Sequence, residues 1–128
     1  MSSFCRQNNT ARVVGMAMLV AAILSLFACG GSGNMSAEAA QGQRLFAANC
    51  ALCHGQNAEG KAMLGKGLQA NEFVRNLSDE EMVEFLKAGR RADHPLNERG
   101  VDMPPKGGNP GLTDEDLQLI VAYLRALG

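Results

Sequence analysis

The hydrophobic pattern divides the chain into three parts. From Val13 to Ala28 apolar and small residues run without a break, behind Arg6 and Arg12. This has the form of a secretory signal core and is shorter than the roughly 18 residues of a comfortable membrane span. Gly30 to Ser36 is small and polar, a flexible tether. From Ala37 the pattern turns helical. Gly42, Leu45 and Phe46 fall three to four apart on one face and predict a helix over 37–49. A Gly-rich loop over 55–67 and a short helix near 70–76 follow. Ser78-Asp79-Glu80-Glu81 forms a capping box, with Leu77 and Met82 as its hydrophobic staple. The helix it starts turns Met82, Phe85 and Leu86 inward and stops at Gly89. Thr113-Asp114-Glu115-Asp116 repeats the device with Leu112 and Leu117. Leu117, Ile120, Val121 and Leu124 then recur at the spacing of a buried face, which predicts a terminal helix from Asp114 to about Leu127. No stretch reads as a strand pair, so the expected class is all-α with about four to five helices.

Length adds that 128 residues hold one small domain behind a leader. From Cys29 onward ten Lys and Arg face thirteen Asp and Glu, a net charge of −3. That balance argues against nucleic acid and against a basic docking face. After the leader only Phe46, Phe73, Phe85 and Tyr123 are aromatic. So light a core needs a large apolar group inside the helices to hold the domain firmly.

The leader ends at Leu26-Phe27-Ala28-Cys29, which resembles a bacterial lipoprotein signal with Cys29 as the lipidated residue. An uncleaved anchor or an ordinary secretory signal are the other readings. All three place the domain outside the cytoplasm, periplasmic or otherwise extracytoplasmic. The expected organisation is a signal peptide over 1–28, a tether over 29–36 and a domain over 37–128. Cys5 leaves with the signal and Cys29 carries lipid, so only Cys50 and Cys53 remain, and no pair is left for a structural disulfide.

Those two lie in Cys50-Ala51-Leu52-Cys53-His54, which reads as an attachment site for one c-type haem. Two thiols three positions apart can bond the two vinyl groups, and the histidine that follows points a ring nitrogen at the iron. A redox dithiol would need a strand before it. A zinc site would need four well-placed ligands, and only His94 remains to join Cys50, Cys53 and His54. For the other side of the iron Met103 is the leading candidate, in a loop where Pro104 and Pro105 fix the backbone. His94 and Met63 are rivals, while Met82 fits core packing.

The residues from 38 to 128 resemble the class I cytochrome c family. Gly42 and Phe46, four apart, and Ile120 and Tyr123, three apart, match the pairs at which the family's terminal helices cross. Gly55 and Gly60-Lys61 also fit. The resemblance implies four to five helices around one covalent haem c, with His54 and Met103 on the iron. It further implies that a backbone carbonyl two residues before Leu68 accepts a hydrogen bond from His54. Here that position is Lys66 where many members have proline. The family tryptophan that bonds a haem propionate is missing, with Arg90, Arg91 or Tyr123 as replacements. The stretch from Met103 to Pro110 is similar to monohaem domains of bacterial respiratory complexes, including haem-copper oxidases and alternative complex III. The implied function is one-electron transfer, without enzyme activity of its own. The implied partners are a redox donor and acceptor, such as a terminal oxidase or a quinol-oxidising complex. Alternatives are a haem enzyme or gas-binding protein with an open sixth position, and a fixed haem subunit of a larger complex.

Overall fold

The computed structural model describes residues 35–128. The signal, Cys29 and the tether as far as Asn34 lie outside the described residues. The helices are α1 (Ala37–Asn49), α2 (Ala51–His54), α3 (Glu72–Asn76), α4 (Asp79–Ala88) and α5 (Asp114–Ala126), with a short turn at Pro105–Gly108. Among the described residues the only strand-like pairing is an isolated antiparallel bridge between Arg90 and Met103. The all-α expectation holds.

Local chemistry sets the boundaries. Ser36 caps α1 by accepting a hydrogen bond from the Ala39 N–H at 3.2 Å. Helix α1 keeps the expected bounds, and Cys50, at φ −118° and ψ −29°, kinks the chain between it and α2. Helix α3 starts later than expected. Ala70 stands at φ +47°, and Asn71 caps by accepting from the Phe73 N–H at 2.9 Å. Both capping boxes form: Glu81 N–H donates to Ser78 Oγ and Ser78 N–H to Glu81 Oε2, with the same reciprocal pair at Thr113 and Asp116.

The core is built on the crossing of α1 with α5. Gly42 lies so close to the carbonyl of Leu119 that a Cβ there would collide with backbone. Beside it the rings of Phe46 and Tyr123 meet at 5.3 Å between centroids, tilted by 56°. Leu117, Ile120, Val121 and Leu124 are buried around them. Each such side chain contributes about 1.5–3 kcal/mol on leaving water. Helix α4 adds Met82, Val83 and Leu86. Phe85, expected inward, is only half-buried, because it borders a cavity rather than the helix interface. Arg125 of α5 secures the α3–α4 corner, pairing with Asp79 at 2.9 Å and donating to the carbonyls of Val74 and Leu77.

Candidate functional site

The break at Cys50 and the single turn of α2 bring Cys50, Cys53 and His54 to the wall of one cavity of about 460 Å³. Cofactor sites commonly span about 300–1,000 Å³. His54 Nδ1–H donates to the carbonyl of Lys66 at 2.8 Å. A carbonyl only accepts, so Nδ1 carries the proton and Nε2 keeps its lone pair for a metal. The loop that supplies this carbonyl folds back onto the motif. Gly65 N–H donates to the Cys53 carbonyl at 3.0 Å, and Gly60 N–H donates to that of His54 at 2.6 Å. A Cβ on Gly65 would stand 2.9 Å from His54 Nδ1, so only glycine permits this approach. The expected acceptor is in place although proline is not. The Lys66 ammonium meets Glu98 at 2.9 Å, which ties the same residue to the loop before Met103.

Met103 lines the same cavity from a second segment. Its N–H donates to the Arg90 carbonyl at 2.8 Å and its carbonyl accepts from the Arg90 N–H at 2.8 Å. After the two prolines, Gly107 at φ +65° packs on Asn49, where a Cβ would come within 2.7 Å of the Asn49 carbonyl oxygen. Asn109 Nδ2 then donates to Asn49 Oδ1 at 2.9 Å. The Met103 loop is thereby fastened both to the end of α4 and to the residue preceding Cys50. Leu68, Phe73, Val74, Phe85 and Leu86 supply apolar wall.

The rival residues fall elsewhere. His94 is exposed, its Nδ1 accepts from the Leu96 N–H at 3.1 Å, and it borders a neighbouring hollow of about 300 Å³, on the far side of Phe73, Phe85, Arg90 and Leu96, rather than the larger cavity itself. Met63 is 82% exposed and away from the larger cavity. Met82 reaches that cavity, but it is only 2% exposed within the core. Burial pushes the Cys50 thiol up to about 11, with the neighbouring Cys53 adding to the shift. A redox dithiol needs the opposite, a thiol made acidic. Among the described residues no three His, Cys, Asp or Glu side chains converge into a metal-binding cluster, as a zinc site would require.

Of the three residues offered in place of the missing tryptophan, only Arg90 borders the cavity. Arg91 points outward to Asp93 at 3.1 Å, and Tyr123 is buried against Phe46. Sequence reasoning passed over Arg99, which lines the cavity and whose guanidinium makes no hydrogen bond among the described residues. Its position in the loop four residues before Met103 was the available signal.

The cavity therefore offers two thiols, an imidazole with its outer nitrogen free, a thioether and apolar walls, a donor set that would suit a macrocycle bonded through the thiols, with a nitrogen and a sulfur to hold its metal. Fold and site define the class as a cytochrome c domain. The family model described as cytochrome c oxidase, cbb3-type, subunit III matches residues 37–124, and the chain belongs to this family of cytochrome c domains. Family membership implies haem c.

The chain is 34% identical over 90 residues to cytochrome c-555 of Prosthecochloris aestuarii, covering 68% of this chain and 85% of that protein. It is 30% identical over 95 residues to cytochrome c-554(547) of Halothiobacillus neapolitanus, covering 70% and 97%. To the cbb3-type cytochrome c oxidase subunit FixP of Azorhizobium caulinodans it is 32% identical over 90 residues, 70% of this chain but only 27% of that protein. It thus spans most of the small cytochromes and about a quarter of the oxidase subunit. No solved structure gives a significant match. The chain is a c-type cytochrome, an electron carrier.

Proposed function

We propose that this chain carries one electron at a time on a single haem c bonded to Cys50 and Cys53, with His54 and Met103 as axial ligands. The observation that carries the reading is that both thiols, the imidazole and the thioether wall one cavity. When bound, the haem supplies an iron that passes between ferrous and ferric states. The protein's part is to keep both ligands still. The Lys66 carbonyl orients His54, and the paired bonds to Arg90 fix the Met103 backbone. The apolar part of the wall disfavours the additional charge of ferric iron, and a thioether favours the ferrous state, so both raise the potential relative to two histidines. Arg99 is the wall cation available to the haem carboxylates.

In this reading the signal peptide 1–28 exports the chain, Cys29 carries lipid, and the tether 29–36 holds the domain 37–128 at a membrane outside the cytoplasm. Among the described residues no helix is long and apolar enough to cross a membrane. Tethering raises the domain's effective concentration near membrane partners. The likeness to FixP supports a terminal oxidase as acceptor, with a quinol-oxidising complex as the other candidate partner. That likeness equally favours a fixed haem subunit of such a complex. Solubilisation in mild detergent distinguishes the two, a free lipoprotein migrating alone and a subunit with its complex.

Met103→Ala tests the ligand assignment. The variant is expected to keep covalent haem, lose the weak far-red sulfur–iron band, fall in reduction potential and bind carbon monoxide rapidly when reduced. An unchanged spectrum would move the sixth ligand to another residue. Rapid carbon monoxide binding by the unsubstituted protein would favour the haem enzyme or gas-binding reading.

A further inference from the structure

Arg90 occupies an unusual place. It follows Gly89, whose φ of +68° turns the chain out of α4 and whose missing Cβ lets Met103 and Pro105 approach closely. Arg90 and Met103 then exchange both backbone hydrogen bonds, each at 2.8 Å. In an antiparallel pair of this kind the two opposed side chains leave on the same face, and both do line the larger cavity.

The side chain of Arg90 is itself held in three ways. Its guanidinium carbon lies 4.6 Å from the centre of the Phe73 ring and 4.8 Å from that of Phe85. Those rings meet each other edge-on at 4.9 Å. Its Nη1 donates to the Leu96 carbonyl at 3.2 Å, within the loop that leads to Met103. The residue therefore joins α3, α4 and the Met103 loop at one point. A planar cation over aromatic faces is attracted by their ring quadrupoles, the more so where water is partly excluded. Within the loop, Asn97 Nδ2 donates to the carbonyls of Arg91 and Val101, each at 2.8 Å, and Lys66 pairs with Glu98, but these bonds brace the loop on itself and to the loop after His54. The Arg90 side chain is what joins it to the rings of α3 and α4.

We propose that Arg90 is the positioning residue for Met103: its guanidinium, seated over the paired rings of Phe73 and Phe85 and bonded to the Leu96 carbonyl, holds the loop so that the thioether stays on the iron. The proposal rests on the reading of Met103 as sixth ligand. It assigns to the clamp the task of keeping the site closed to small ligands while the haem remains attached.

Arg90→Leu and Arg90→Lys in the holoprotein test it, with Met103→Ala as reference. Arg90→Leu keeps the backbone bridge and removes the clamp. It should weaken the far-red sulfur–iron band and speed carbon monoxide binding to the reduced protein about tenfold or more, toward the Met103→Ala value, both measured per haem bound. Arg90→Lys retains charge without the planar stack and should fall between the two. It also serves if Arg90→Leu folds poorly. If Met103→Ala opens the iron while both Arg90 variants keep the parent band and carbon monoxide rate, the clamp is refuted and the ligand stands. If Met103→Ala itself leaves the spectrum unchanged, the ligand assignment fails first.

Discussion

Replacing Cys50 and Cys53 together by Ala is expected to abolish covalent haem and to leave the exported chain largely unfolded. Among the described residues these two thiols are the only cysteines and both are free of any disulfide, so no other cysteine of the domain can hold the group. The cavity they border has about 460 Å³. Without the haem the apolar part of this wall, Leu68, Phe73, Val74, Phe85 and Leu86, has nothing to pack against. An ordinary domain is stabilised by only about 5–15 kcal/mol, so losing a buried group of that size removes a large share of the total. The core itself is modest, with Phe46 and Tyr123 its only fully buried aromatics. Each single substitution should leave one thioether and an intermediate yield. A haem stain on a denaturing gel, with far-ultraviolet circular dichroism for helix content, reads both effects. Normal amounts of covalent holoprotein from the double variant would refute the attachment site.

Gly42→Val is the second large effect expected, and it acts far from the chemistry. A Cβ at 42 would overlap the carbonyl of Leu119 and come 3.1 Å from the Cβ of Tyr123. The obstacle is backbone, so no rotamer change relieves it and the two helices must separate. Separation loosens the Phe46–Tyr123 contact, which holds the rings at 5.3 Å. Overpacking of this kind costs about 3 kcal/mol. For a domain of this size that lowers the midpoint of thermal unfolding by roughly 15 °C. Haem should still attach, because Cys50, Cys53 and His54 lie beyond the crossing. Calorimetry of the holoprotein checks the shift, and a midpoint within a few degrees of the parent would show that the crossing tolerates a side chain at 42.

Much of this is legible in the residues alone. The two capping boxes, the stop at Gly89 and the buried face of α5 follow from local hydrogen bonding and helical spacing, and each formed where the residues put it. The crossing at Gly42 was readable through the family resemblance, as was the Lys66 carbonyl as partner of His54. What the sequence hid depends on tertiary neighbours. Phe85 sits on an inward stripe, yet it faces a cavity, and a helical period cannot tell core from cavity wall. Tyr123 and Arg91 were plausible propionate partners by residue type alone. Burial against α1 removes the first, and an outward turn toward Asp93 removes the second. Arg90 and Arg99 acquire their places only when the loop from Gly89 to Met103 closes over the cavity. Such a loop has no period to read.

The central claim is that haem is bonded to this chain through Cys50 and Cys53. It is tested most directly by intact-mass measurement of the full chain, exported in cells with working haem-ligation machinery and purified under denaturing conditions, together with its pyridine haemochrome spectrum. The account predicts one haem per chain retained through denaturation, with the spectrum of a haem joined by two thioether bonds, and fragments placing the added mass on the peptide from Cys50 to His54. A colourless chain, or haem that leaves on denaturation, would contradict it.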